Sequence, residues 1–205
     1  MRKPKLRELK EAITAAFSKP YTSKFPAESH TPPEGFRGRP EFQDDGCIGC
    51  AACAEVCPTV SIAVTDSPQG DPPARRLSLR LDKCIFCGQC ELNCTTGEGI
   101  KLTQVYDMTT LDRSSLREEI DHELVICQIC GAIVGTKKHL RWVAEKLGAK
   151  AYANPTLIVT ADGAMKLADR DAGRPGEPAL ARSDMMRIMC PACRRTSVLR
   201  ETWGE

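Results

Sequence analysis

The chain has 205 residues, of which 12 are cysteines and only 5% are aromatic. This composition argues against one large apolar core and favours small modules that bound metal stabilises. The formal net charge of +2 is too small to argue for or against binding of nucleic acid, and no nucleic-acid partner is expected. No apolar run approaches the roughly 20 residues of a membrane-spanning helix, so we expect a soluble or peripheral protein.

The first predicted element is an amphipathic helix over residues 3–18, in which apolar residues recur at steps of three and four. Pro20 ends the pattern. Residues 1–40 contain nine Lys or Arg against four Asp or Glu, a local net charge of +5 (9 − 4). A basic amphipathic helix can bury its apolar face against an anionic membrane surface, in the groove of a partner protein or against its own domain. We expect an external partner, because the helix lies far ahead of the cysteines.

Residues 19–42 contain five prolines and show little periodicity. Such a segment is extended and cannot form a core of its own. It either runs along the surface of a partner or is a solvated linker. Together, residues 1–43 form the predicted N-terminal amphipathic helix and docking arm.

Two cysteine runs with the spacing C-x2-C-x2-C-x3-C define the next predicted domain, residues 44–108. Bacterial-type ferredoxins hold two [4Fe–4S] clusters with this spacing, and the fourth cysteine of each run binds the other cluster. Separate zinc sites use paired knuckles instead, and disulfides need an oxidising compartment that no secretory signal indicates. The first cluster is assigned to Cys47, Cys50, Cys53 and Cys94, and the second to Cys84, Cys87, Cys90 and Cys57.

The cysteine runs belong to an internal repeat, in which residues 45–48 match residues 82–85 at a shift of 37 positions. Two strand, cluster-loop and helix halves related by a pseudo-two-fold follow from it, which is an α+β fold of the two-cluster ferredoxin type. Short strands are predicted over residues 61–65, 77–81 and 99–103.

Small residues in the cysteine runs leave room for the backbone to approach a cluster closely. They are Gly49, Ala51, Ala52 and Gly88. Thr95 stands where a proline usually follows the fourth cysteine. We expect a looser turn there and no loss of a ligand.

Residues 109–126 are predicted to form a helical linker. The helix covers residues 109–123, and Ser115 with Glu118 fits a capping box.

Residues 127–205 are predicted to form a four-cysteine metal-binding module of the zinc-ribbon or rubredoxin-like type. Two C-x2-C pairs make a tetrahedral thiolate site that suits zinc or a single iron. A thioredoxin-like redox role needs one reactive pair and no second one, so metal binding is favoured. Zinc has no redox chemistry and would only stabilise the fold. The candidate ligands are Cys127, Cys130, Cys190 and Cys193.

Between these pairs the sequence predicts a helix over residues 137–147, with Thr136 as its cap and Gly148 as its stop. A strand is predicted over residues 156–160. Residues 169–178 read as an exposed loop, whose Asp-x-Asp-x-Gly fragment lacks the rest of a calcium loop.

The three histidines, His30, His122 and His139, stand outside the cysteine runs. We interpret them as surface residues and assign none as a ligand. No Gly-rich nucleotide loop, Ser–His–Asp set or pair of catalytic carboxylates is evident. We therefore predict no catalytic residue and an electron relay in place of a substrate-converting site.

The arm Pro32–Arg39, the run Cys47–Pro58 and the run Lys83–Gly88 resemble the two-cluster subunit of respiratory complex I. They resemble still more closely the iron–sulfur subunits of complex I-related group 4 [NiFe] hydrogenases, of the formate hydrogenlyase and hydrogenase-4 type. The resemblance covers residues 1 to about 120, and the four-cysteine tail is similar to that of the hydrogenlyase subunits.

This resemblance implies an electron-transfer subunit of a membrane-associated hydrogenase complex. The implied partners are the hydrogenase large and small subunits, a donor iron–sulfur subunit and a membrane arm against which the N-terminal helix would rest. The implied location is the cytoplasmic face of the inner membrane, where the subunit is peripheral.

Two alternatives stay open. One is a relay in respiratory complex I or in a carbon monoxide dehydrogenase-linked complex. The other is a structural iron–sulfur and zinc-ribbon protein that binds nucleic acid through Arg194, Arg195 and Arg200. Salt-sensitive binding of nucleic acid would favour the second alternative, and co-purification with redox subunits would favour a relay.

Overall fold

The computed structural model describes residues 5–20, 22–164 and 187–203, which form six helices and six strands. The predicted loop over residues 169–178 lies outside this part of the chain. The helices are α1 (Leu6–Phe17), α2 (Ala52–Glu55), α3 (Gln89–Leu92), α4 (Lys137–Leu147), α5 (Pro155–Ala164) and α6 (Pro191–Trp203). The strands are β1 (Pro40–Phe42), β2 (Ile62–Ser67), β3 (Ala74–Arg80), β4 (Ile100–Leu102), β5 (Arg117–Ile126) and β6 (Ile133–Thr136).

The chain divides into two units, residues 1–36 and residues 37–205. In the first unit, α1 confirms the predicted N-terminal helix. The Glu8 carboxylate accepts a hydrogen bond from the Lys5 backbone N–H at 3.0 Å, which supports the first turn. None of the residues of α1 is buried, and Leu6 and Phe17 are 87% and 89% exposed. The helix therefore presents an uncovered apolar face.

The second unit contains two antiparallel sheets. Strand β1 pairs with β4, and the other strands form a four-stranded sheet in the order β2-β3-β5-β6. Alternation along β3 explains its orientation. Leu77 and Leu79 are 1% exposed, whereas Arg76 faces solvent. The strands predicted over residues 61–65, 77–81 and 99–103 are confirmed as β2, β3 and β4.

The core lies between the four-stranded sheet and the two cysteine loops. It contains buried aliphatic residues from both halves of the repeat together with two cysteines. These residues are Ile62, Leu77, Leu79, Leu81, Ile100, Cys47 and Cys53. Each buried aliphatic side chain contributes about 1.5–3 kcal/mol by leaving water.

The predicted helix over residues 109–123 is wrong. Residues 117–126 form β5, which pairs with β3 so that Leu77 lies opposite Ile120. Charged side chains on the outer face stabilise this pairing, since Arg76 contacts Asp121 at 2.8 Å (Nε to Oδ1). The proposed capping-box residue Ser115 ends a short 3₁₀ turn instead.

The C-terminal part confirms one predicted element and corrects another. Helix α4 begins where it was predicted, and the Thr136 hydroxyl accepts a hydrogen bond from the His139 N–H at 3.2 Å. The strand predicted over residues 156–160 is wrong, because these residues lie in α5. Proline at position 155 suits the first turn of a helix, and the Asn154 side chain accepts from the Thr156 N–H at 3.1 Å.

Candidate metal centres

The two cysteine loops share one backbone conformation. Left-handed residues precede both short helices, Ala51 (φ 67°) before α2 and Gly88 (φ 78°) before α3. A second residue with positive φ lies two positions earlier in each loop, Gly49 at 66° and Phe86 at 54°. Such conformations cost on the order of 1–2 kcal/mol for residues other than glycine. They turn each loop tightly enough to direct three cysteines towards one point.

The first cavity is lined by apolar side chains from the core, including Phe42, Leu77 and Ile100. Three of its cysteines come from the first run and the fourth comes from the second run. The cysteines that line it are Cys47, Cys50, Cys53 and Cys94.

The second cavity has Leu79, Ile85 and Leu102 in its wall. Its fourth cysteine comes from the first run, so the chain crosses between the cavities in both directions. The cysteines that line it are Cys57, Cys84, Cys87 and Cys90. The structure thus groups the eight cysteines in the two sets that the sequence pattern assigns.

The two crossing cysteines receive equivalent hydrogen bonds from their own loops. The Cys57 Sγ lies 3.7 Å from the Thr59 hydroxyl and accepts from the Ser61 N–H at 3.2 Å. The Cys94 Sγ lies 3.4 Å from the Thr96 hydroxyl and accepts from the Gly99 N–H at 3.3 Å. A metal-bound thiolate can only accept, so the Thr59 hydroxyl would donate to Cys57, whereas the Thr96 hydroxyl donates to the Gly46 carbonyl at 2.9 Å and only contacts Cys94.

These hydrogen bonds lower the pKa of the thiols, whereas burial raises it. Burial alone would raise the pKa of Cys57, but the Thr59 hydroxyl and neighbouring backbone N–H groups hold it below its usual value. Burial raises the pKa of Cys53 to about 12 and that of Cys90 to about 11. A metal ion supplies the positive charge that these buried sulfurs need in order to lose their protons.

Thr95, the departure from the usual proline, lies at the first cavity. Its hydroxyl is 3.2 Å from the Cys50 Sγ, across 45 positions of the chain. Proline offers no donor at this place, so the substitution adds a side-chain hydrogen bond to a candidate ligand.

The first cysteine loop is covered by the four-stranded sheet. Arg75 on β3 donates to the Gly49 carbonyl at 3.1 Å and to both Asp66 carboxylate oxygens at 2.7 and 2.8 Å. The Thr136 hydroxyl donates to the Ile48 carbonyl. The loop is therefore buried, whereas in the second loop Ile85 is 60% exposed.

The surface interpretation of the histidines is wrong for His122. Its side chain is 3% exposed, and its Nε2 lies 3.2 Å from the Cys47 Sγ. His30 is exposed and His139 is half-buried. The alternation Ile120, His122, Leu124 would have placed His122 on an inward face if this segment had been read as a strand.

Arg37 and Gly38, which precede the first cysteine run, pack on the second half of the repeat. Arg37 donates to the Cys87 carbonyl at 3.2 Å, and the Gly38 N–H donates to the Thr103 carbonyl at 3.0 Å. A Cβ at position 38 would lie 2.4 Å from the Val105 carbonyl oxygen, so this close backbone approach requires glycine.

The two C-x2-C pairs meet in the C-terminal part. Their four sulfur atoms lie within 4.8 Å of one another, and those of Cys130 and Cys190 are 3.7 Å apart. The first pair follows β5 in a turn that contains Gly131 (φ 71°), and the second lies at the beginning of α6. The cysteines brought together are Cys127, Cys130, Cys190 and Cys193.

The chemistry of this site suits a cation. Burial would raise the pKa of Cys127, but backbone N–H groups, led by those of Cys130 and Cys190, lower it to about 7. Four thiolates in this spacing are the usual ligand set of zinc or a single iron.

Among the helices that the structure describes, none has the length and apolar character needed to cross a membrane.

Comparison with known proteins agrees with this geometry. A family model described as a 4Fe-4S dicluster domain matches residues 46–98, which contain all eight cysteines of the two cavities. The chain thus contains a domain for two [4Fe–4S] clusters within a mixed fold of helices and sheets.

Two relatives show how far the similarity extends. NAD(P)H-quinone oxidoreductase subunit I of Gloeobacter violaceus is 34% identical over 102 residues, 48% of each chain, so the match spans about half of that relative. Formate hydrogenlyase subunit 6 of Escherichia coli is 34% identical over 127 residues, which cover 62% of this chain and 68% of the relative. A chain of the membrane-bound sulfane sulfur reductase, an archaeal respiratory membrane complex, is 28% identical with a TM-score of 0.40, covering 57% of this chain and 61% of that one.

Proposed function

We propose that this chain, which belongs to the family of iron–sulfur subunits that includes formate hydrogenlyase subunit 6, relays single electrons through two [4Fe–4S] clusters in a membrane-associated hydrogenase complex. A bound [4Fe–4S] cluster accepts and releases one electron at a potential set by its ligands, hydrogen bonds and exposure to solvent. The observation that carries this proposal is the crossed arrangement of the two cavities, since each contains three cysteines of one run and the fourth of the other.

The proposed ligands follow from that arrangement. Cys47, Cys50, Cys53 and Cys94 would hold the first cluster, and Cys84, Cys87, Cys90 and Cys57 the second. Because each loop supplies ligands to both sites, the two clusters adjoin. That proximity is what a relay requires.

The other residues of the domain position the sulfurs and exclude water. Leu77 and Leu79 on β3 and Ile100 on β4 are each 1% exposed and line the cavities. The hydroxyl groups of Thr59 and Thr96 contact the crossing cysteines at the cavity walls. No residue needs to act as an acid, base or nucleophile in such a relay.

Metal analysis of the purified full chain tests the proposal. We expect about eight iron and eight acid-labile sulfide per chain, as two cubane clusters require, and a paramagnetic signal after reduction with dithionite. A preparation with only two metal ions per chain, or one whose clusters accept no electron, contradicts it.

The proposed partners are hydrogenase large and small subunits, a donor iron–sulfur subunit and a membrane arm. The relatives are a subunit of a quinone oxidoreductase and a subunit of formate hydrogenlyase, which supports membership of a multi-subunit redox complex. Peripheral attachment at the cytoplasmic face of the inner membrane belongs to the same proposal. The rival assemblies, complex I and a carbon monoxide dehydrogenase-linked complex, would differ in the subunits that co-purify from native membranes.

We assign the docking role to α1, whose exposed apolar residues fit the surface of a partner. Deleting residues 1–18 is expected to leave the iron content unchanged and to release the chain from its complex. A truncated chain that co-purifies like the full one contradicts this role.

We propose that Cys127, Cys130, Cys190 and Cys193 hold one further metal ion, zinc or iron, in a zinc-ribbon or rubredoxin-like module. The proximity of the four sulfurs supports this. Zinc would only stabilise the fold, whereas iron could exchange an electron. Metal analysis distinguishes the two metals. Zinc in the site gives one zinc per chain, whereas iron gives nine iron per chain instead of eight.

Nucleic-acid binding is the less favoured function. Arg194 is half-buried and donates to the Thr156 hydroxyl, so it is engaged within the protein, although Arg195 and Arg200 are exposed. A salt-sensitive interaction of the full chain with nucleic acid, without redox partners, would support this alternative.

A further inference from the structure

His122 reaches the first cavity from outside the cysteine runs. It lies on the inward face of β5, 75 positions after Cys47, and its Nε2 is 3.2 Å from the Cys47 Sγ. The residue is 3% exposed. Contact between a buried imidazole and a candidate cluster ligand is therefore fixed by the pairing of β5 with β3.

The first cysteine loop is shaped to receive this ring. A Cβ at Gly49 would lie 2.8 Å from the His122 Cδ2 and 2.9 Å from the Thr136 Cγ2. Arg75 and Thr136 hold the carbonyl groups of Gly49 and Ile48 from either side. The imidazole cannot move away without displacing this packing.

The chemistry of the contact determines which nitrogen carries the hydrogen. An iron-bound thiolate can only accept a hydrogen bond, so Nε2 must be the donor, and Nδ1 is then a bare acceptor. Nδ1 is buried and has no hydrogen-bond partner among the described residues.

An unpaired buried nitrogen costs free energy, and an apolar side chain would fill the same space without that cost. The loss is offset when the other nitrogen donates to a charged acceptor, because such hydrogen bonds are about twice as strong as neutral ones. A thiolate ligand of the first cluster is an acceptor of this kind.

The internal repeat shows that this donor is specific to the first site. Cys84 occupies the position equivalent to Cys47, and its Sγ accepts from the Phe86 N–H at 3.4 Å. Within the described ranges, no side chain donates to the Cys84 Sγ. At this pair of equivalent ligands, Cys47 and Cys84, the two sites thus differ in whether a side chain donates to the sulfur.

We propose that His122 is a positioning residue that raises the reduction potential of the first cluster by donating a hydrogen bond from Nε2 to the Cys47 sulfur. The added electron increases the negative charge on the thiolates, so the bond is stronger in the reduced state and favours reduction. This inference rests on the proposed function, because it requires a cluster at the first site.

The test is a redox titration of the full cluster-containing chain, followed by electron paramagnetic resonance. His122→Leu removes the donor, and we expect the equilibrium constant for one-electron reduction of one cluster to fall about tenfold, a shift of about 59 mV to a more negative potential. The other cluster keeps its potential. His122→Gln, whose amide can still donate, is expected to retain most of the wild-type value, and His139→Leu serves as the matched control with no change.

A second measurement uses the unmutated chain and does not depend on the assembly of a variant. After labelling of histidine with ¹⁵N, pulsed paramagnetic resonance of the reduced protein should show a ¹⁵N coupling and an exchangeable hydrogen at one cluster. Absence of this coupling overturns the inference. It is also overturned if His122→Leu leaves both potentials unchanged or shifts both by the same amount. If the unmutated chain holds no reducible cluster, the proposed function fails instead.

Discussion

Leu77 and Leu79 offer a direct test of how the sheet protects the two cavities. Both side chains are 1% exposed on the same face of β3, yet Leu77 lines the first cavity and Leu79 lines the second. Replacing a buried leucine with alanine costs about 2–5 kcal/mol, which includes the energy of the cavity left behind. Since about 1.4 kcal/mol corresponds to tenfold, the lower end of this range predicts roughly 30-fold faster opening of the affected site.

The assay is anaerobic release of iron from the full chain to a chelator, followed by alkylation of the freed cysteines and mass spectrometry. Leu77→Ala is expected to release about four of eight iron ions in a fast phase, because one cubane contains four. The cysteines alkylated first should be Cys47, Cys50, Cys53 and Cys94. Leu79→Ala should release the other cluster first and expose the other set.

Leu111→Ala is the control, since this leucine is fully exposed and its truncation removes no core contact. It should release iron at the unmutated rate. Equal acceleration of both clusters by Leu77→Ala, or early alkylation of Cys84 and Cys87 in that variant, would refute the assignment of one wall residue to each cavity.

Three further predictions concern single side chains. Thr95→Val removes the hydroxyl next to the Cys50 sulfur, and we expect the first cluster to become harder to reduce in a redox titration while the second keeps its potential. Cys190→Ala should abolish the extra metal ion and leave about eight iron bound, as measured by elemental analysis. The Arg75 hydrogen bond holds the pKa of Asp66 below its usual value, so its stabilising effect is present above the unfolded pKa of about 3.9 and is lost as the pH falls through the folded pKa. Asp66→Asn should therefore flatten the acid side of the stability profile; a variant as acid-sensitive as the unmutated chain contradicts this.

The cluster loops could be predicted because metal binding imposes a fixed spacing on the sequence. The repeat at 37 positions carries the same turn in both halves, which the structure shows as left-handed residues at Ala51 and Gly88. The strand after each run also followed from the repeat, and β3 followed from the alternation of its leucines. Spacing and alternation are local properties of the chain, so one sequence is sufficient to detect them.

Strand β5 could not be predicted because its apolar residues fit two periods. Ile120 and Leu124 are four positions apart, a step that suits one face of a helix and, equally, one face of a strand. The choice between them depends on β3, more than 30 positions earlier, which supplies the pairing and the partner charges. The same ambiguity of a short apolar run explains why residues 156–160 were predicted as a strand.

Gly49 lies within the first cysteine run, but it leaves space for residues outside that run. Its lack of a side chain was interpreted as clearance for a cluster, but the space is occupied by His122 and Thr136 from the covering strands. The equivalent residue in the second loop is Phe86, which has a similar positive φ of 54°. The left-handed conformation therefore does not by itself require glycine in this loop. The close approach of β5 and β6 requires it, and the first site owes its buried imidazole to that approach.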